Sequence, residues 1–431
     1  MTRATKIIIC AVLLGIVCVD AIGAERFPPP EFEVTDHKLP EMQNPAPRSD
    51  IFEYLDVAVL FAALSIASYL ALKKRSRRYM FVLMVLSLAY FGFYRQGCVC
   101  SIGAIQNITL TIFDSGYAAP LAVVLFFLLP LVFTLFFGRT FCAGVCPLGA
   151  IQDLVVLKPL AVPGWLESSL RILAYLYLAA AILFAATGSA FVVCRYDPFI
   201  SFFRLSGSLN MLVLGGCLLL VGVFVGRPYC RFLCPYGVIL RQLSRVSKWH
   251  VTITPDECVN CRLCEDACPF GAIDKPAAWP GGDIVKSRKA LAVLIVMLPV
   301  LVLLVGLAGA GISGYASKAH ATVRLAEQIQ AEENGVAKGS TDATLAFWGT
   351  GENAKSLYGR AESIQREFLR GGWILGGLIG LMIGLKLIGF VLRRGREDYQ
   401  ANRAGCVSCG RCFEYCPEEH VRLKKNEGTV G

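Results

Sequence analysis

Charge is what this 431-residue chain has least of: Asp, Glu, Lys and Arg together make up 17% of it, against 55% hydrophobic residues. A soluble domain carries about 25% charged residues, so an ordinary soluble enzyme is a poor reading and a membrane protein a good one. Histidine is scarcer still, with His37, His250, His320 and His420 the only four. None falls inside a long apolar run, which argues against a haem held by paired membrane histidines. No Cys-x-x-Cys-His occurs, which argues against c-type haem. No base-stacking module is visible either. The net charge of +10 is read as the positive-inside bias of cytoplasmic loops, not as nucleic-acid binding.

Long apolar runs are plentiful. A helix needs roughly 20 mostly apolar residues to cross about 30 Å of hydrocarbon. Residues 1–24 read as a signal sequence, with Arg3 and Lys6 ahead of the run Ile7 to Val19 and small residues at Ala21, Gly23 and Ala24. The alternative is an uncleaved anchor, and both readings leave the Pro-rich stretch to Arg48 outside the cytoplasm. Apolar segments follow at about 53–72, 79–95, 117–137, 169–190, 210–226, 290–312 and 372–392, seven expected spans. The basic run Lys73 to Arg78, the loop from Arg227 to Lys289 and the tail from Arg393 to Lys425 all fall on one side when spans are counted alternately. That side is expected to be the cytoplasm of a bacterial inner membrane.

The expected fold is mainly α: a polytopic helical membrane protein carrying a cytoplasmic two-cluster ferredoxin-like domain split by a transmembrane hairpin. Its expected divisions are a signal sequence (1–24), an extracytoplasmic N-terminal segment (25–52) and a membrane domain with duplicated Cys-bearing spans (53–248). The first ferredoxin-like half (249–289), the hairpin (290–392) with a small external helical cap (313–371) and the second half (393–431) follow. Helical spacing in the cap runs through Val323, Leu325 and Ile329 and again through Leu357, Ile364 and Phe368. Gly372, Gly376, Gly380 and Gly384, four residues apart, allow close approach of a neighbouring helix.

Eighteen cysteines cluster in a way that points to metal. Cys258, Cys261, Cys264 and Cys268, followed by Pro269, have the spacing of bacterial ferredoxins, and Cys406, Cys409, Cys412 and Cys416, followed by Pro417, repeat it. Three closely spaced thiolates wrap one cube, and in two-cluster proteins the fourth serves the other cluster. The expected sets are Cys258, Cys261, Cys264 with Cys416, and Cys406, Cys409, Cys412 with Cys268, giving two [4Fe-4S] clusters. Zinc is disfavoured, because its sites lack the four-cysteine run and trailing proline.

The membrane half is duplicated. Gly138-Arg139-Thr140-Phe141-Cys142 resembles Gly226-Arg227-Pro228-Tyr229-Cys230, and Cys100-Ser-Ile-Gly-Ala-Ile-Gln106 resembles Cys146-Pro-Leu-Gly-Ala-Ile-Gln152. Repeats around a shared site are a common membrane plan. Cys142 and Cys146 with Cys230 and Cys234, each pair ending in Cys-Pro, are expected at cytoplasmic span ends, face to face, as a third cluster site. Buried thiols or a disulfide are the competing readings. Cys98, Cys100 and Cys194 are expected at the opposite, outer ends of the spans, with Asp197 near in sequence. A fourth cluster there and a periplasmic disulfide stand as equal readings. Cys217 is read as packing, and Cys10 and Cys18 belong to the signal sequence.

Taken together, the paired Cys-x-x-x-Cys-Pro motifs and the ferredoxin motifs resemble the membrane polyferredoxins typified by NapH and the C-terminal half of NosR. The resemblance covers roughly Ile51 to Cys268 and Cys406 to Pro417. It implies electron transfer between the cytoplasm or quinone pool and an extracytoplasmic flavoprotein or reductase, with Cys142, Cys146, Cys230 and Cys234 as membrane-edge redox cysteines. Here no Ser/Thr-Gly-Ala-Thr-like flavin attachment sequence occurs, so flavin is expected on an FMN-binding partner. Membrane lipid and a cytoplasmic donor or quinol complete the expected partners. Alternatives are a quinol dehydrogenase subunit and a redox sensor or maturation factor for a periplasmic metalloenzyme.

Overall fold

The computed structural model describes residues 49–97, 100–157, 159–160, 162–204, 208–253, 258–276, 284–336, 340–391 and 397–428. The expected signal sequence, the Pro-rich segment and Cys98 lie outside these. The chain is built of helices, with one two-stranded ladder among the described residues.

Helix α1 (Asp50–Tyr69) widens into a π-helical turn at Leu70–Lys74 and stops where Arg75 takes a left-handed conformation. α2 (Arg77–Ser87) runs on as a second π segment, Leu88–Tyr94. α3 (Ser101–Phe113) and α4 (Leu121–Phe137) form a helical hairpin. Two very short helices, α5 (Thr140–Gly144) and α6 (Pro147–Leu154), turn the chain before the long α7 (Gly164–Ala186). The second half repeats the pattern: short α8 (Val192–Arg195) and α9 (Ile200–Arg204), apolar α10 (Leu209–Gly222), then short α11 (Pro228–Phe232) and α12 (Pro235–Arg245).

Four helical stretches are long and apolar enough to cross a membrane: Asp50–Lys74, Gly164–Ala186, Arg288–Ser317 and Ala354–Gly389. Three shorter apolar helices accompany them, Ser101–Phe113, Leu121–Phe137 and Leu209–Gly222. The first of these occupies what the sequence reading took for the loop 96–116. At 1.5 Å per residue it reaches only about 20 Å, short of a span, so hydropathy counting passes over it. Its first six residues, Ser101 to Gln106, are all buried.

α13 (Leu263–Asp266) and β1 (Ile273–Asp274) follow the first ferredoxin motif. α14 (Ile284–Ser317), α15 (Ala321–Glu333), α16 (Asp342–Gly349) and α17 (Ala354–Val391) form the excursion before β2 (Gln400–Ala401), α18 (Arg411–Tyr415) and α19 (Pro417–Gly428). α14 and α17 pack along their length through small residues. A Cβ built on Gly376 would stand 2.5 Å from the Val305 carbonyl oxygen, and one on Gly380 would stand 2.9 Å from that of Leu301. Glycine at this spacing is therefore what permits backbone contact. Val323, Ala326, Ile329, Phe347, Leu357 and Ala361 form a small separate core at the far end. The sequence reading broke this cap from the last span at residue 371. The structure has no break there, because α17 starts at Ala354 and carries straight on.

β1 and β2 pair antiparallel, Ile273 with Ala401 and Asp274 with Gln400. Two segments separated by the whole hairpin thus share one ladder. Asn402 completes the join: its amide N–H reaches the Ala272 carbonyl at 2.9 Å, and its side-chain nitrogen reaches both carboxylate oxygens of Asp274 at 3.2 and 3.3 Å.

Candidate metal centres

The two ferredoxin loops share an unusual backbone. Asn260 and Arg262 in the first, and Ser408 and Gly410 at the matching positions of the second, all have positive φ, at 51°, 66°, 58° and 77°. Three of the four are L-residues, for which this conformation costs about 1–2 kcal/mol each. The curl turns successive N–H groups inward, making a concavity suited to anions and sulfur.

Thiols from both motifs meet in two groups. Cys258, Cys261, Cys264 and Cys416 line one pocket with Ile253 and Tyr399. Burial, aided by the thiols of Cys258, Cys261 and Cys416, pushes Cys264 up to about 11. Cys268, Cys406 and Cys409 pack together with Phe270, Ala272 and Val407. Cys412 is raised well above an ordinary thiol by burial and by Cys406, Cys409 and Cys268. The fourth cysteine of each motif therefore stands with the first three of the other. Backbone donors point at these sulfurs, Ala272 N to Cys268 Sγ at 3.4 Å and Ser408 N to Cys406 Sγ at 3.4 Å.

The membrane-edge cysteines form a third group. Cys146 and Cys234 are the N-cap residues of α6 and α12, each with proline in the first turn. Proline suits that place because its missing N–H is one a helix start leaves unpaired. Cys234 Sγ accepts from Gly237 N at 3.3 Å. Cys146 is raised well above the usual thiol range by burial and then by Cys230 and Cys142, and Cys234 likewise by burial, Cys230 and Cys146. Gln152 braces the group, donating to Cys230 Sγ at 3.3 Å and accepting from Tyr229 N at 2.9 Å. Arg139 Nη2 lies 3.7 Å from Cys142 Sγ.

Do these residues fit a cluster? Each group offers four sulfurs, aimed N–H donors and an apolar surround, the features that hold and tune iron–sulfur cubes. As bare thiols, groups raised this far stay protonated at neutral pH, whereas binding iron draws off the proton and satisfies the buried charge. Among the described residues no three His, Cys, Asp or Glu side chains are arranged to hold a single metal ion. Cys258, Cys261, Cys264 and Cys416, then Cys406, Cys409, Cys412 and Cys268, then Cys142, Cys146, Cys230 and Cys234 are the residues that would hold such iron–sulfur clusters.

The three groups are contiguous. Cys142 packs in the same apolar cluster as Cys268, Cys406 and Cys409, and Cys412 packs against the cluster containing Cys264 and Cys416. Between the second and third groups lies a network that sequence reading missed. Asp153, with its side chain fully buried, accepts from Arg77 at 2.8 Å and from Arg227 and Arg411 at 3.3 Å each. Arg227 also donates to the Cys142 carbonyl, and Arg77 to that of Cys409 at 3.3 Å. Burial alone would raise the Asp153 carboxyl, but Arg227, Arg411 and Arg77 hold it well below the carboxylate range. Arg75, read only as part of an orientation signal, bonds Glu419 at 2.5 Å and the Thr252 and Ile253 carbonyls at 2.8 and 2.7 Å. The basic run Lys73 to Arg78 thus also clamps both ferredoxin halves.

Of the outer group, Cys100 sits differently from its expected place at a span end, whereas Cys194 is exposed. Ser101 Oγ donates to the Phe126 carbonyl at 2.8 Å, well inside α4, and Cys100 packs against the core that holds Cys146 and Cys234. Cys100 is therefore a neighbour of the inner group. The cause is the short helix α3, which starts deep in the bundle. Gln106 accepts from Val193 N at 3.0 Å, just as Gln152 accepts from Tyr229 N. The residues after these amides are Cys194 and Cys230, so the repeated Gly-Ala-Ile-Gln text places a glutamine behind a cysteine twice. That glutamine was legible in the repeat, although its partner was not. Asp197 is 3% exposed, accepts from Phe199 N at 2.9 Å through Oδ1, and has Oδ2 without a partner. Burial pushes it up to about 6, and burial together with Asp197 pushes Cys100 up to about 12. Cys217 lies within α10, away from these groups in sequence.

Helical spans joined to a double cysteine-rich loop define a class, the membrane-embedded iron–sulfur proteins. Residues 119–161 and 208–254 match a family described as a 4Fe-4S binding domain, one copy in each half, and residues 251–274 match a second 4Fe-4S binding domain family. An uncharacterized protein of Methanocaldococcus jannaschii is 29% identical over 190 residues, 42% of this chain and 77% of that one. YccM of Escherichia coli, named for electron transport, is 27% identical over 172 residues, 36% of this chain and 47% of its own. NirI of Paracoccus denitrificans is 31% identical over 153 residues, 32% and 22% of the two chains. The chain therefore spans less than half of the length of the latter two. No solved structure matches. These matches support a membrane polyferredoxin-type protein that binds 4Fe-4S clusters and has electron-transport relatives.

Proposed function

We propose that this protein is a transmembrane electron conduit of the bacterial inner membrane. In this reading it takes electrons at its cytoplasmic ferredoxin-like domain and delivers them outward to an extracytoplasmic flavoprotein or reductase. The observation that carries the reading is the contiguity of the sulfur groups, from Cys258, Cys261, Cys264 and Cys416 through to Cys100, with Cys194 Sγ standing beside Gly103. A bound [4Fe-4S] cluster supplies one-electron transfer at a potential set by burial, charge and hydrogen bonds to sulfur.

The chain's own residues set those conditions. Gln152, Gly237 N and Arg139 donate to the sulfurs of the inner group, which favours added negative charge there. Arg227, Arg77 and Arg411 stand between that group and the next, sharing Asp153 as their carboxylate partner among the described residues. This leaves a net positive bridge that eases passage of an electron. The basic clamp at Arg75 keeps the ferredoxin halves seated on the spans. Membrane lipid surrounds the spans, and the donor is a cytoplasmic reductant or quinol.

The test uses the full chain, reconstituted in sealed vesicles around an impermeant oxidised dye and reduced from outside by impermeant dithionite. Reading the protein as a conduit requires dye reduction by wild type and its loss in Cys142→Ser/Cys230→Ser. Equal dye reduction by both would sink it.

A further inference from the structure

A large cavity lies beside the ferredoxin-like domain, with Cys258 among its lining residues. It measures about 1360 Å³ and lies where the start of α7, the end of α12 and the end of α17 meet the 397–405 segment. One wall is apolar and comes from helices long enough to span, with Ile172 on α7 and Ile379, Met382 and Ile383 on α17. The other is basic, with Arg171, Arg241, Arg245, Lys386 and Arg403.

Two of the carboxylates within reach are already engaged. Glu167 is shared by Arg171 and by Arg231, the latter at 2.9 Å, and Asp274 is held by Asn402. Glu397 and Asp398 line the exposed 397–405 side. Arg241 has no hydrogen-bond or ion-pair partner among the described residues, and its Nε is buried, as is the unpartnered Nε of Arg171. Burial and the nearby charges of Arg171 and Arg139 push the Arg241 guanidinium down to about 9. Lys386 Nζ meets only a neutral acceptor, the Ser168 carbonyl at 2.8 Å. Arg241 and Lys386 are half-buried in the cavity wall, where partly desolvated cations favour an anionic partner, and a guanidinium presents a planar fork that matches phosphate oxygens.

We infer that this cavity is a phosphate-binding site, with Arg241 and Lys386 holding the anion. The apolar wall beside it suits the acyl chains of an anionic phospholipid. Basic pockets between spans at a cytoplasmic face bind such head groups. The inference stands apart from the electron-conduit reading, since neither residue touches a cysteine group.

The experiment takes the purified full-length protein, delipidated in neutral detergent, and measures binding of phosphatidylglycerol, phosphatidylcholine and inorganic phosphate by native mass spectrometry and calorimetry. Saturable binding of phosphatidylglycerol well above phosphatidylcholine is expected, weakened at least tenfold in Arg241→Gln/Lys386→Gln. Binding of inorganic phosphate with the same dependence on these residues, and none of the lipid, assigns the same site to a soluble phosphate. Should the double variant fail to fold, Lys386→Gln alone is expected to weaken binding about threefold. The proposal is overturned if wild type binds no phosphate ligand beyond the phosphatidylcholine level, or if the folded variant binds as tightly as wild type.

Discussion

Replacing Asp153 with asparagine removes one negative charge from among three guanidiniums without changing the side chain's size. The carboxylate is fully buried and takes Arg77 at 2.8 Å and Arg227 and Arg411 at 3.3 Å. Breaking one partner out of a buried ion network costs about 3–5 kcal/mol, because the remaining charges stay buried. A second effect follows from the network's place beside the Cys142 and Cys409 backbone. One extra positive charge about 10 Å from a centre, at an effective dielectric of about 20, stabilises an added electron by about 1.7 kcal/mol, or about 70 mV. Asp153→Asn is therefore expected to unfold more easily in denaturant and to raise the potential of the nearest centre by several tens of millivolts in a spectroscopic redox titration. Glu352→Gln, a carboxylate of the cap paired with Arg360, is the control. An unchanged titration in a folded Asp153→Asn protein would refute the assignment of this network to the path between centres.

Other outcomes follow from the same geometry. Because the Asp153 carboxyl is held below its unfolded value of about 4, its stabilisation is fully present above that pH. It is lost only as pH falls through the still lower folded value, so cluster release should be flat from neutral pH to about 4 and then rise. Cys268→Ala should alter the paramagnetic signal of the centre held by Cys406, Cys409 and Cys412 and leave that of Cys258, Cys261 and Cys264, and the converse result would mean uncrossed ligation. Gly376→Leu, with a Cβ that must sit 2.5 Å from Val305 O, should destabilise the α14–α17 pair by about 1–3 kcal/mol, seen as earlier thermal release of a protease-sensitive hairpin. Asn402→Ala, losing bonds to Asp274, Ala404 N and Gly405 N, should loosen the ferredoxin halves by about 1–3 kcal/mol, read by hydrogen exchange at β1 and β2.

What could be read from the sequence was whatever is local. Four cysteines at fixed spacing before a proline carry their own geometry, so the grouping of Cys258 with Cys416 and of Cys406 with Cys268 followed from the motif. The glycines every four residues on α17 announced close helix contact for the same reason. Depth was not legible. Hydropathy counts residues without locating where a chain turns, so Cys100 was set at a span end when α3 starts inside the bundle. Long-range polar contacts were equally hidden. Asp153 and Arg227 are 74 positions apart, and nothing in either neighbourhood marks the pairing. Arg75 and Arg77 were visible only as charge, and their second task, gripping the ferredoxin domain, needs the folded partner to be seen.

The central claim is that the inner group of four cysteines holds a centre between the ferredoxin pair and the outer thiols. It is tested most directly by iron and acid-labile sulfide per chain, with electron paramagnetic resonance, on intact protein and on the Cys142→Ser/Cys146→Ser/Cys230→Ser/Cys234→Ser variant. The account predicts at least about twelve irons in the intact chain and a loss of about four in the variant, with the ferredoxin signals retained. About eight irons in both proteins would contradict it.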